Sequence, residues 1–357
     1  MRILQVVTDT DRRGAQIFAT QLQEAMHTRG HEVETIALAP GTVGGLDIDV
    51  LDQRWPSAKV LGRLRRQMSR FDVTIAHGSS TGPACAMAGL GAGRPFVYRQ
   101  VSDSYFWAPT PAKRARVRTY LARAAVVVAL SQYNRSLLVQ RIGVDREQIV
   151  VIPNAVPANE FGPATPDARH AAREALDVGE APVVLFIGAL VPEKGADLAV
   201  WSLREIAAAH LVVAGSGDEA EHLERLSAAL APGRVHFVGT ASDALSLYQA
   251  ADVVVLPSRG GDAMPAVIIE AGLCGLPVIS TRIGAIPEMI VNGESGFVVS
   301  SDDLSALEAA TALLVSHPAM RRSMGAAARK RCLELYDIGP VAEQWEAVLG
   351  KAVGGKP

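Results

Sequence analysis

Between Val253 and Val299 the chain reads VVVLPSRGGDAMPAVIIEAGLCGLPVISTRIGAIPEMIVNGESGFVV, and few folds accommodate that order of residues. Val253–Leu256 is continuous rather than alternating, the pattern of a strand buried on both faces of a parallel sheet. A glycine turn, Arg259-Gly260-Gly261-Asp262, leads into a helix opening at Met264-Pro265, where proline suits the first turn. That helix ends near Gly275, because Pro277 follows. Val278–Ser280 is a second strand, and Gly284–Pro287 opens another helix that carries Glu288. Two helix starts therefore follow two strand ends at close sequence spacing.

Helix starts present N–H groups without partners and a partial positive charge, which suits phosphate. The carboxylates of Asp262 and Glu270 suit hydroxyl groups. Phosphate beside sugar hydroxyls describes a nucleotide sugar.

The rest of the chain repeats the same unit. Ile3–Val7 is a buried strand, followed by the turn Arg13-Gly14-Ala15, a helix with Phe18, Leu22 and Met26 on one face, and the strand Val33–Leu38. This is a Rossmann-like opening without the G-x-G-x-x-G fingerprint, which disfavours a dinucleotide cofactor. Further strands follow at Phe71–Ala76, Phe96–Tyr98, Val126–Leu130 and Ile149–Asn154. The first two end at His77 and at Arg99, near Asp103. Sites in open α/β sheets gather at strand C-ends, so His77, Arg99 and Asp103 are acceptor-side candidates. Proline, glycine and asparagine crowd residues 157–166 as in a linker. The pattern then restarts with Val183–Ile187, His210–Ala214 before Gly215-Ser216-Gly217, and Val235–Val238 before Gly239-Thr240. Repeated βα units imply a second parallel sheet.

The 253–299 segment resembles the donor signature of the retaining GT-B glycosyltransferases of family 4 (glycosyl transferases group 1). In that signature two glutamates flank seven residues and a Gly-x-Pro-Val strand follows. Here the pair is Asp262 and Glu270 before Gly275-Leu276-Pro277-Val278, so the first acid is one methylene shorter. The resemblance implies an α/β chain of GT-B fold, with two Rossmann-like domains whose parallel sheets face each other across a cleft. Residues 1–160 would form the acceptor-side domain and 161–336 the nucleotide-sugar domain, while 337–357 would form a helix packing back on the first.

By the same resemblance Gly14 and Arg13 occupy the turn that meets donor and acceptor. Gly188 and Lys194 belong to the diphosphate motif, Gly215 and Thr240 border the donor, and Met264, Pro265 and Ala266 supply amides. Glu270 would take the ribose hydroxyls, with Asp262 and Lys194 as the catalytic pair. The motif's arginine is replaced by Ala189, and the histidine expected after Tyr98 is absent around Val101. Arg13, Arg259 and Arg282 lie on glycine-rich turns, and one of them, Arg13 first, is expected to replace the missing phosphate-binding arginine.

The 357 residues exceed what one core usually serves. Residues 1–160 carry 20 Lys and Arg against 13 Asp and Glu, and the remainder 15 against 24, so the first part has the surplus that an anionic partner would meet. Lys59–Arg70 and Lys113–Arg123 are basic stretches without an acid. Each reads either as a solvated outer helix or as a helix lying on an anionic membrane. The three cysteines are scattered and suggest neither disulfides nor zinc. The opening apolar run is too short for a signal peptide, and a cytoplasmic location follows, with peripheral contact at the inner face of the membrane as one outcome. The Gly/Lys/Pro tail reads as disordered.

The expected activity is transfer of a sugar from a nucleoside-diphosphate sugar to an acceptor hydroxyl, with retention of configuration and no metal cofactor. The acceptor would be a glycan, a lipid-linked sugar or a small molecule, in cell-surface glycan, polysaccharide or glycolipid assembly. The acidic triplets at 9–11 and 47–49 are too short to argue for a metal site, and nothing points to nucleic acid. A nucleotide-sugar epimerase of the same fold, or a non-catalytic sugar-nucleotide binding protein, would share the architecture.

Overall fold

The computed structural model describes residues 1–42, 45–91, 93–103, 108–241 and 243–354. Within them the chain divides into two units, Met1–Val156 with Tyr336–Pro357, and Pro157–Leu335.

In the first unit, strands β1 (Arg2–Val7), β2 (Glu32–Ala37), β3 (Asp49–Val50), β4 (Val73–His77), β5 (Phe96–Arg99), β6 (Val126–Ala129) and β7 (Ile149–Val151) form one sheet. Its order is β3-β2-β1-β4-β5-β6-β7, all parallel, with Ile3 opposite both Val33 and Val73. This is the doubly wound order that reverses between β1 and β4. Alternation along each strand sends side chains to two apolar layers. Ile3, Val73, Val97 and Val128 pack on Phe18, Leu22 and Met26 of the Gly14–Thr28 helix. Leu4, Val6, Ala76 and Tyr98 pack on Val60, Leu64 and Met68 of the Ala58–Arg70 helix.

The edge strand Asp49–Val50 has no apolar signature, and both residues are exposed. It exists because Ile36 and Ala37 of β2 offer it a free edge.

The chain leaves this unit after Val156 and returns at Tyr336. Val156 N–H donates to the Tyr336 carbonyl, and Ile338 N–H donates back to Val156. The returning helix, Ile338–Gly354, places Val341, Trp345 and Leu349 in the core beside Phe18. Arg29 and His31 both bond Glu346 on its outer face. The helix reaches Gly354, the first residue of the tail read as disordered; residues 355–357 of that tail lie outside the described residues.

The second unit repeats the theme with β8 (Val183–Ile187), β9 (His210–Ala214), β10 (Val235–Gly239), β11 (Val253–Leu256), β12 (Val278–Thr281) and β13 (Gly296–Val299). The order is β10-β9-β8-β11-β12-β13, again all parallel. Val184, Phe186, Val213, Val255 and Ile279 line one face against Leu198, Leu203, Leu223 and Leu314. On the other side the Ala266–Leu273 helix lies close to the Pro318–Leu335 helix. A Cβ on Gly272 would sit 2.4 Å from Cys332 Sγ, which explains the small residues Ala271-Gly272 on that face.

Candidate donor site

Three consecutive strand ends build the turns of the second unit. Gly188 N–H donates to the Ala214 carbonyl, and Gly215 N–H donates to the Gly239 carbonyl. A Cβ on Gly215 would lie 1.8 Å from the Gly188 carbonyl oxygen, so only glycine lets the first two turns meet. Thr240, exposed just past β10, donates to Ser216 Oγ at 3.1 Å. Ala189 is exposed on the first turn.

Lys194 closes a short 3-10 turn, Pro192–Lys194, and Gly195 follows at φ 68°. A Cβ there would lie 2.2 Å from the Pro257 carbonyl oxygen, so the turn after β8 packs tightly on the start of the turn after β11. That approach brings Lys194 Nζ onto Oδ1 of Asp262. Ser258 Oγ donates to Oδ2 of the same carboxylate at 2.5 Å, and Ser258's own carbonyl accepts from Thr281 Oγ1. The Asp262 side chain is 8% exposed and that of Lys194 26%. Each carboxylate oxygen keeps a further lone pair, and the ammonium keeps two more N–H donors.

Met264 is buried, Pro265 is the N-cap, and the helix proper runs Ala266–Leu273. Its start leaves N–H groups without intrahelical acceptors. Glu270 is half-buried on that helix and accepts a 2.6 Å hydrogen bond from the Tyr248 phenol. Burial lifts the Glu270 carboxyl above the ordinary glutamate range, and the Tyr248 hydrogen bond opposes the lift. Tyr248 was not singled out in the sequence. No local motif marks a tyrosine on the preceding helix, and the pairing exists only once β11 carries the chain back beside it.

Of the three arginines considered as replacements for the missing one, Arg259 is taken. Its guanidinium bonds both oxygens of Asp197 at 2.7 and 2.8 Å, and its Nε bonds Asp302 at 2.7 Å. This corrects the expectation that it is free to meet a ligand. Arg13, the N-cap of the Gly14–Thr28 helix, bonds Asp11 at 2.8 Å and is 64% exposed; Gly14 is exposed and a Cβ there meets nothing. Arg282, exposed directly after β12, has no carboxylate within ion-pair distance among the described residues.

The acceptor-side candidates of the first unit are turned inward. β4 and β5 each run one residue further than the apolar runs suggest, to His77 and Arg99. Alternation then puts both on the face covered by the Gly14–Thr28 helix. His77 Nε2 pairs with Gln5 Oε1 at 3.0 Å, and burial holds the imidazole well below its usual value, with the Arg99 charge adding to the shift. Arg99 stacks 3.7 Å over the Phe18 ring and donates to Asn154 Oδ1 at 2.9 Å. Burial brings its guanidinium down to about 9. Asp103 is buried as well. The structure places both of these acceptor-side candidates in the interior, with His77 linked through Gln5 to Thr35 on β2 and Arg99 bonded to Asn154.

Among the described residues no helix is long and apolar enough to cross a membrane, and no cluster of three or more His, Cys, Asp or Glu has metal-site geometry.

Comparison with known proteins agrees with this geometry. Residues 12–160 match the family model described as Glycosyltransferase Family 4, and residues 169–331 match Glycosyl transferases group 1. The chain is 30% identical to the GDP-mannose-dependent alpha-(1-6)-phosphatidylinositol monomannoside mannosyltransferase of Mycolicibacterium smegmatis, over 78% of this chain and 77% of that one. It is 31% identical to the D-inositol 3-phosphate glycosyltransferase of Geodermatophilus obscurus, over 69% of this chain and 60% of the relative. In fold it is similar to Anabaena HepE in complex with UDP-glucose, with TM-score 0.85 and 21% identity over 98% of this chain and all of the other. The sucrose-phosphate synthase of Thermosynechococcus elongatus gives TM-score 0.84 and 20% identity over 98% of both chains. Strand order, the turns that carry Lys194 and Asp262, and these matches across both halves lead to one conclusion: the chain belongs to the family 4, group 1 glycosyltransferases and has their GT-B fold.

Proposed function

We propose that the chain transfers a hexose from a nucleoside-diphosphate sugar to an acceptor hydroxyl, with retention of configuration and without a metal cofactor. The observation that carries this reading is the contact of Lys194 with Asp262 at the ends of β8 and β11, neighbours in one sheet, beside the helix bearing Glu270.

The chemical task is to stabilise a departing diphosphate and a cationic sugar centre. Lys194, with two N–H donors left, and the first N–H groups of the Ala266–Leu273 helix meet the developing phosphate charge. Arg282 takes the place of the arginine missing at Ala189, because, unlike Arg259, it is engaged by no carboxylate among the described residues. Glu270 accepts from the ribose hydroxyls, and Tyr248 fixes its rotamer. Asp262 accepts from hydroxyls of the transferred sugar, held in place by Ser258 and Lys194. Gly188, Gly215 and Thr240 border the nucleoside.

For the acceptor we favour a sugar or polyol on an anionic lipid, met at a membrane surface. The support is the basic surplus of residues 1–160 and the lipid acceptor in the name of the mycobacterial relative. The test is release of nucleoside diphosphate from UDP-, GDP- and ADP-hexoses, with and without lipid acceptors, and the anomeric configuration of the product by NMR. Acceptor-stimulated release with retention supports the reading. Interconversion of the intact nucleotide sugar, or an inverted product, contradicts it.

A further inference from the structure

We propose that a groove on the first unit, between the Ala58–Arg70, Thr81–Ala88 and Pro111–Leu121 helices, holds one hydrocarbon chain of an anionic lipid while Lys113, Arg116 and Arg123 hold its phosphate. This rests on the reading that the acceptor is lipid-borne, and it names the surface that takes the apolar part.

The groove has a volume of about 1100 Å³, just above the roughly 300–1,000 Å³ that small-molecule sites enclose. Leu61, Pro83, Ala86, Val117 and Tyr120 line it. Met87 and Leu90 also line it and are 46% and 51% exposed. A single exposed leucine is ordinary. Two large apolar side chains three residues apart, opening onto a concave apolar space, are a surface that water covers at a cost.

Charge selects the occupant. Neither Ala58–Arg70 nor Pro111–Ala125 contains an acid, and among the described residues no acid lines the groove. Lys113, Arg116 and Arg123 are exposed at its border, with no carboxylate in ion-pair distance among the described residues. An apolar channel with an unneutralised basic rim matches an amphiphile with an anionic head, because chain burial and phosphate pairing are then met together. An apolar protein segment would leave the three cations unmatched. Ser79 and Ser80, which follow the C-end of β4, line the same groove. The groove therefore opens at the strand-end edge where α/β sheets place their ligands, and leads away from it along the helices.

The probe is phosphatidylglycerol with a diazirine in one acyl chain, in phosphatidylcholine vesicles. It is photolysed with the full chain in the absence of nucleotide sugar, and adducts are mapped by mass spectrometry. Adducts are expected on Leu61, Met87, Leu90 or Val117, with at least tenfold less labelling in Met87→Glu and Leu90→Glu and severalfold less in Leu90→Ala, which adds no charge and keeps the test open should a glutamate variant misfold. Lys113→Gln, Arg116→Gln and Arg123→Gln together should abolish the preference over the same diazirine on phosphatidylcholine. Adducts confined to other faces, equal labelling by the zwitterionic probe, or unchanged labelling in the Leu90 variants would overturn the groove. Sugar transfer to lipid with no groove adducts would sink this inference alone. Groove adducts with no sugar transfer would sink the transferase reading alone.

Discussion

The Tyr248 phenol donates a 2.6 Å hydrogen bond to Oε2 of Glu270, so the acid assigned to the ribose is oriented by the preceding βα unit. Burial raises the Glu270 carboxyl above its ordinary value, about 4.3 for a free glutamate. The ionised acceptor is therefore lost at a higher pH than an exposed glutamate would show, and donor affinity should fall as pH drops through that raised value. Stability moves the other way: a raised folded value means that the folded state binds the proton more tightly than the unfolded, so this group favours folding as pH falls. Donor Kd against pH should show the acid limb in the wild type and lose it in Glu270→Gln.

Tyr248→Phe removes the one influence that lowers the Glu270 value. The acid limb should move to higher pH, and donor affinity at neutral pH should fall by about 1.5–3 kcal/mol, roughly 10- to 150-fold. Calorimetric titration across pH checks both. A limb that stays in place would mean that the phenol has only a packing role.

Asp262 is packed from three sides, by Lys194, Ser258 and the Gly284 turn, whose Cβ would lie 2.0 Å from the Asp262 carbonyl oxygen. Asp262→Glu adds about 1.5 Å of reach and shifts the carboxylate relative to Lys194 and Ser258. Since an ångström of misplacement can cost about a hundredfold, kcat should fall by that order. Steady-state kinetics of donor turnover would show it; unchanged or raised activity would mean that the shorter acid is not fitted to the sugar.

Arg282 and Arg259 should separate cleanly. Arg282→Ala should weaken donor binding by about 1.5–3 kcal/mol, the worth of a charge-assisted bond to phosphate, with Tm unchanged. Arg259→Ala breaks the links to Asp197 and Asp302. It should lower Tm by about 2–4 °C, corresponding to roughly 1 kcal/mol. Calorimetry and thermal melts on both variants give the comparison.

Glu346 ties the last helix to Arg29 and His31. The Arg29 hydrogen bond, then that of His31, hold its carboxyl below the ordinary glutamate range. A depressed folded value stabilises above the unfolded value and is lost as pH falls through the folded one. The Tm deficit of Glu346→Gln should therefore be present at neutral pH and vanish in acid below the normal glutamate range. A deficit independent of pH would assign the effect to packing.

The sheets were legible because buried parallel strands are written as uninterrupted apolar runs: Val183–Ile187, His210–Ala214 and Val253–Leu256 have the same bounds in sequence and structure. Asp49–Val50 and Gly296–Val299 were not read as strands. The first is polar and exposed, and the second is short and starts on a glycine, so both depend on an edge offered by a neighbour. His77 and Arg99 lie deeper than their sequence positions suggest, for a related reason. A polar residue at a strand end looks like the start of a loop, yet one more rung of pairing, His77 opposite Arg99, carries both under the helix. Motif spacing brought Lys194, Asp262 and Glu270 into view, but spacing says nothing of which cations are already neutralised. Arg259 and Arg282 look alike in sequence and differ only through Asp197 and Asp302, which are far away along the chain.

The proposed grip on a nucleoside-diphosphate sugar consists of Lys194, Asp262 and Glu270. Calorimetric binding of UDP, GDP and ADP, each beside its parent nucleoside, to the wild type and to Lys194→Ala tests it most directly. One diphosphate should bind far more tightly than its nucleoside in the wild type, and that advantage should disappear in Lys194→Ala. A diphosphate advantage that survives the substitution, or no diphosphate binding by the wild type, would contradict the account.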